Sequence, residues 1–141
     1  MPDVHAPVLH RLACELLSAV GTAPENARIV ADSLIDANLA GHDSHGVLRL
    51  PSYLQRARDG QIQPAAVASL ASRSGATAIV DGALGRGQPA MWLATRAAID
   101  CARECGLGAA VVHQCNHIGR VAPYVEAVAN EGMAGQAMAN A

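Results

Sequence analysis

The sequence contains no lysine and no phenylalanine, and aromatic residues make up only 2% of it. Without lysine, no Schiff base can form on a side-chain amine of this chain. With so few aromatics there is no stacking platform for single-stranded nucleic acid. Ten arginines stand against 12 acidic residues, a formal net charge of −2. That balance gives no electrostatic grip on nucleic acid or on an acidic membrane surface. No uncharged apolar run reaches the roughly 20 residues of a membrane span. The opening "MPDVHAPVLHRLACELL" has no basic segment ahead of an apolar one, so it does not read as a secretory signal. Cys14, Cys101, Cys105 and Cys115 form no C-x-x-C pair and read as reduced thiols of a cytoplasmic protein.

What is present is small and aliphatic. Apolar residues are 51% of the 141 and charged residues 16%, which excludes disorder and allows one domain with a real core. Residues 7–20 place apolar side chains at helical spacing, and Gly21 is a stop. Thr22 and Glu25 have capping-box spacing around Pro24, which opens a second helix to about Ala40. A third helix covers much of 46–58, where Pro51 is harmless only in the first turn. The second half changes period. "ATAIVDG" (76–82) reads as a strand, 88–105 as a helix stopped by Gly106, and "GAAVVHQC" (108–115) as a buried strand. Residues 119–130 read as a helix, and "AGQAMANA" as a last strand. The expected fold is mixed α/β: helices first, then alternating strands and helices. It divides into a helical segment over 1–60 and the first part of an α/β domain over 61–141. A chain finishing on an uncovered strand reads as the N-terminal piece of a longer protein.

The chemistry concentrates in "GHDSHGVLRLPSY", residues 41–53. His45 is the side chain suited to moving a proton near neutral pH. Ser44 beside it can relay or orient. Arg49, one helical turn on, offers a bidentate grip on a carboxylate, and Tyr53 extends the same face. An acid/base beside a carboxylate clamp suits a small 2-oxo or 2-hydroxy acid. The same loop is also ordinary turn chemistry, with Asp43 or Ser44 capping the next helix. A zinc site that includes His42, His45, Cys115 and His117 is a third reading.

The second cluster is "HQCNHIGR", 113–120, between a strand and a helix. His117, Gly119 and Arg120 lie where a phosphate-bearing cofactor is often met in α/β proteins. Alternatively, Asn116 is an N-cap and Gly119 a tight turn. "GLGAAV" (106–111) runs from helix to strand, the reverse of a dinucleotide fingerprint, and "GALGRG" (82–87) lacks the P-loop lysine.

With both clusters in place, the sequence resembles the type 2 malate/L-lactate dehydrogenase family of NAD(P)-dependent oxidoreductases. The resemblance is carried by "DSHGVLRLPSY", "DGALGRGQPAMWLA" and "NHIGRVAPYVEAVANEGMAG". It implies a non-classical nicotinamide-binding fold, with NAD or NADP as cofactor and a small carboxylate as substrate. It implies that His45 gives a proton to the substrate oxygen with Ser44 in its relay, and that Arg49 binds the carboxylate. Tyr53 would line the pocket, and His117, Ile118, Gly119, Arg120 and Val121 would contact the cofactor. A cytoplasmic homodimer of greater length is implied, with the 141-residue chain inactive by itself. The competing classes are a non-enzymatic interaction module and a zinc-dependent hydrolase.

Overall fold

The computed structural model describes residues 4–140. Two antiparallel-packed helices open the fold, α1 (Ala6–Ala19) and α2 (Pro24–Leu39), joined through Gly21 at φ +89°. Pro24 sits in the first turn of α2, where its missing N–H leaves no bond unmade. The capping box does not form. Ala23 is the N-cap, and Thr22 is buried with its hydroxyl accepting from Arg86 instead. A buried guanidinium competes for that oxygen and wins it.

Two short 3₁₀ turns follow, Asp43–His45 and Val47–Arg49, and run into α3 (Leu50–Arg58). The helix starts late enough to put Pro51 in its first turn. Ala13, Leu17, Val30, Leu34, Leu50 and Tyr53 form the core between α1, α2 and α3.

The sheet has three strands in the order β1 (Ser69–Ser74), β2 (Thr77–Asp81), β3 (Ala109–His113). β1 and β2 form an antiparallel hairpin with a bulge between Leu70 and Ser72. β1 carries almost no apolar side chains, so its sequence gives no strand signal. β2 and β3 are parallel, connected by α4 (Gly87–Cys105), which ends on Gly106 at φ +77°. Ala78 and Val80 of β2 face Ala90, Ala94, Ala97 and Cys101 of α4, a core of small residues.

β3 is not a buried strand. Val111 is 63% exposed and Ile79 beside it 42%, because no described element packs on that face of the sheet. α5 spans Ala122–Asn130 and starts three residues later than expected, with Pro123 in its first turn. No strand forms over 134–140; the segment pairs with nothing in the sheet, and Gly135 lies against Val125 and Val128 of α5. Residue 141 of the expected strand lies outside the described residues. Among the described residues no helix is long and apolar enough to cross a membrane. The four cysteines are free thiols.

Candidate active site

The first half of the site hangs on the end of α2. Gly41, at φ +72°, turns the chain out of the helix, and Asn38 then organises the loop. Its Oδ1 accepts from the Val47 N–H at 2.9 Å, and its Nδ2 donates to Asp43 Oδ1 at 2.5 Å. Gly46 lies flat against this amide, so a Cβ there would collide with it. The turn so fixed presents Ser44 and His45 together, Ser44 Oγ 3.0 Å from His45 Nδ1. Arg49 Nε donates to the Ser44 carbonyl at 2.6 Å and leaves both terminal nitrogens without a hydrogen-bond partner among the described residues. The His42 ring meets His45 edge-on, with centroids 4.7 Å apart.

The second half comes from the carboxyl ends of β2 and β3. Ala83, Leu84 and Gln114 all adopt positive φ, at 51°, 56° and 48°. Such conformations cost of order 1–3 kcal/mol each and cluster at functional sites. Asn116 Nδ2 holds the two loops together by donating to the Leu84 and Gly85 carbonyls, both at 3.0 Å. Asn116 is therefore a clamp between loops and not an N-cap. Gly87 permits this approach, since a Cβ there would fall on the Asn116 and His117 carbonyl oxygens. Gly119 is a tight turn at φ +79°.

The two halves meet at His117. Its Nδ1 lies 2.6 Å from the Tyr53 hydroxyl, and its ring centroid is 5.3 Å from that of His45. Gln88, almost fully buried, donates to the Tyr53 hydroxyl at 2.9 Å. Arg86 is buried below, its guanidinium 5.8 Å from the Tyr53 ring centroid, bound to Thr22 Oγ1 and the Tyr53 carbonyl. Tyr53, Arg56, Arg86, Gln88, Asn116 and His117 line a small cavity.

Three guanidiniums in this region have no acidic partner: among the described residues Arg49, Arg56 and Arg86 pair with no carboxylate. Partial burial lowers the His45 pKa, and His42 and Arg49 lower it further. Burial likewise lowers that of His117, with help from Arg49, His45 and Arg56. Both imidazoles are thereby held toward the neutral form. Burial raises the Tyr53 phenol against the opposing pull of Gln88 and three arginines, so its proton stays on. Burial also lowers the Arg86 pKa.

Of the residues singled out in the sequence, Ser44, His45, Arg49, Tyr53 and His117 converge. Tyr53 is buried, with its hydroxyl engaged by His117 and Gln88. The Ile118 carbonyl accepts from the Tyr124 hydroxyl at 2.5 Å. Arg120 reaches back to Asp36 of α2 at 2.8 Å, with Glu126 at 3.9 Å. Val121 caps α5. Asn38, Arg86 and Gln88 escaped sequence reading; a lone amide or arginine inside a helical pattern gives no signal of its partners. Among the described residues no group of three or more His, Cys, Asp or Glu is arranged to hold a metal ion.

Neutral imidazoles beside unpaired guanidiniums, at the carboxyl ends of sheet strands, define an α/β protein fit to handle a proton next to an anion. Comparison with known proteins supplies the family. The malate/L-lactate dehydrogenase family model matches residues 4–141, and the chain belongs to that family. Hydroxycarboxylate dehydrogenase B of Escherichia coli (strain K12) is 36% identical over 127 residues, 90% of this chain and 35% of the relative. Malate dehydrogenase of Pyrococcus abyssi is 37% identical over 132 residues, 94% of this chain and 36% of the relative. The solved sulfolactate dehydrogenase of Methanocaldococcus jannaschii superposes with a TM-score of 0.86 at 34% identity, covering 91% of this chain and 37% of that one. The chain thus spans a little over a third of the length of these relatives.

Proposed function

We propose that this chain carries the proton-transfer and carboxylate-binding part of a nicotinamide-dependent dehydrogenase acting on a small 2-hydroxy acid. The observation that carries the reading is the convergence of the Ser44–His45 pair, Arg49 and the Tyr53–His117 pair in one region. His45 gives its proton to the substrate carbonyl oxygen during reduction and takes it back in the reverse direction. Ser44 holds the far ring nitrogen, so that the proton moves at Nε2. The free terminal nitrogens of Arg49 grip the substrate carboxylate, and Tyr53 lines the pocket wall. The names of the relatives, malate, sulfolactate and hydroxycarboxylate dehydrogenases, support that substrate class.

The donor set fits a polyanionic cofactor, NAD or NADP. The loop of His117, Ile118, Gly119, Arg120 and Val121 follows a strand end; Arg120 is paired with Asp36, while Arg49, Arg56 and Arg86 nearby have no carboxylate partner among the described residues. One relative of 38% identity, from Chromohalobacter salexigens, is named for NADP(+). The nicotinamide supplies or accepts the hydride when bound. The reading includes a division at about residue 60 between a helical segment and an α/β cofactor domain. It also includes a cytoplasmic homodimer, the state implied for the family.

The test uses a hybrid in which this chain replaces the matching part of the Escherichia coli enzyme. Arg49→Lys keeps the charge and loses the fork. The expected result is a KM for oxaloacetate raised about tenfold or more, with cofactor affinity unchanged. An unchanged KM would reject the carboxylate role of Arg49.

A further inference from the structure

Gln88 is 1% exposed, deep at the first turn of α4, and its amide serves the Tyr53 hydroxyl. With one lone pair of that oxygen occupied by the Gln88 N–H, the phenolic proton is free to point at His117 Nδ1, 2.6 Å away. A second donor meets the same nitrogen: the Gly119 backbone N–H, 3.3 Å from it. A backbone N–H can only donate, so Nδ1 must carry a lone pair, whichever way the Gln88 amide is turned. A neutral His117 then bears its proton on Nε2. That nitrogen makes no hydrogen bond to the described residues and is not among their buried unpaired atoms, so it is not sealed from solvent.

We infer that Gln88 and Tyr53 are positioning residues whose hydrogen-bonded chain locks His117 in the Nε2–H tautomer, making it a hydrogen-bond donor to an oxygen of the bound acid. The donor's target rests on the dehydrogenase reading above; the lock itself does not. It separates two imidazoles that are otherwise alike. His45 has only a serine at Nδ1, which can donate or accept, and remains able to exchange a proton. His117 has two donors at Nδ1, and protonation there would break both contacts. The groups around it push the same way. Arg49, His45 and Arg56 disfavour a positive charge on it, Arg86 lines the same cavity, and the Tyr53 phenol stays protonated.

The test is side-chain ¹⁵N NMR of the 141-residue chain, with His117 assigned by His117→Gln. In the parent, His117 is expected as the Nε2–H tautomer alone, titrating below the ordinary histidine value. Tyr53→Phe removes one donor. The Nδ1–H form should become detectable and the titration midpoint rise by about 0.7 pH units, the equivalent of one net hydrogen bond. Gln88→Met should move both in the same direction by less, because the phenol proton is then free to turn away. A parent His117 carrying its proton on Nδ1, or as a mixture, overturns the lock without need of any variant. Folded variants with unchanged tautomer and midpoint overturn the roles of Tyr53 and Gln88. Loss of hydride transfer in the hybrid with an intact lock would sink the dehydrogenase reading alone; an active hybrid lacking the lock would sink this inference alone.

Discussion

Asn38→Leu is the sharpest probe of how the His45 loop is held. The substitution keeps the side chain's approximate volume and removes both of its hydrogen bonds. The bond from the Val47 N–H is partly buried, and losing it costs about 1 kcal/mol, with up to another 1 for the N–H left without a partner. The contact to Asp43 is exposed, so it adds only about 0.5 kcal/mol. The sum is about 2 kcal/mol. For a chain of this size, each kcal/mol shifts Tm by about 3–5 °C, so a fall of about 6–10 °C is expected in thermal unfolding. Asn38→Asp separates the two contacts: it keeps the acceptor for Val47 and sets a carboxylate against Asp43, giving an intermediate fall. Both variants should also move the NMR resonances of Ser44 and His45 more than those of β2. A Tm within 1 °C of the parent, with His45 unmoved, would refute the view that Asn38 builds this turn.

Two further outcomes follow from the same geometry. Gly87→Ala drives a Cβ into the backbone carbonyls of Asn116 and His117, so it should cost about 3 kcal/mol and shift the His117 resonances; a stable variant with His117 unmoved would contradict the close approach. Acidification should destabilise the fold. The folded His45 and His117 titrate below the ordinary value of about 6.5, so as pH falls past it the unfolded chain takes up protons first. Tm should therefore fall between pH 7.5 and 5, less so in His45→Gln/His117→Gln; a Tm that rises on acidification would show the wrong sign.

Much of this site was legible because the residues that carry the chemistry are crowded in sequence. Ser44, His45 and Arg49 lie within six residues, and although Gly46 breaks the helical spacing, Arg49 folds back onto the Ser44 carbonyl. Helices were legible from their glycine stops, and Gly21 and Gly106 both adopt positive φ. What failed was everything that depends on a distant partner. Thr22 looked like a cap because nothing local reveals that Arg86, far along the chain, takes its hydroxyl. β1 was invisible because a strand with three serines and an arginine among six residues is defined by its pairing to β2. The apolar run of β3 looked buried on both faces, although only the α4 side is covered. The link from Gln88 through Tyr53 to His117 joins three parts of the chain, and no local spacing connects them.

The most direct test of the proton-transfer role is the single-turnover rate of oxaloacetate reduction in the hybrid enzyme, parent against His45→Ala. Loss of a general acid lowers such a rate by about 10²-fold or more while leaving cofactor binding in place. That fall, with unchanged nicotinamide fluorescence titration, is the expected result. A rate within a few-fold of the parent would contradict the assignment of His45 and move the proton to another group of the site.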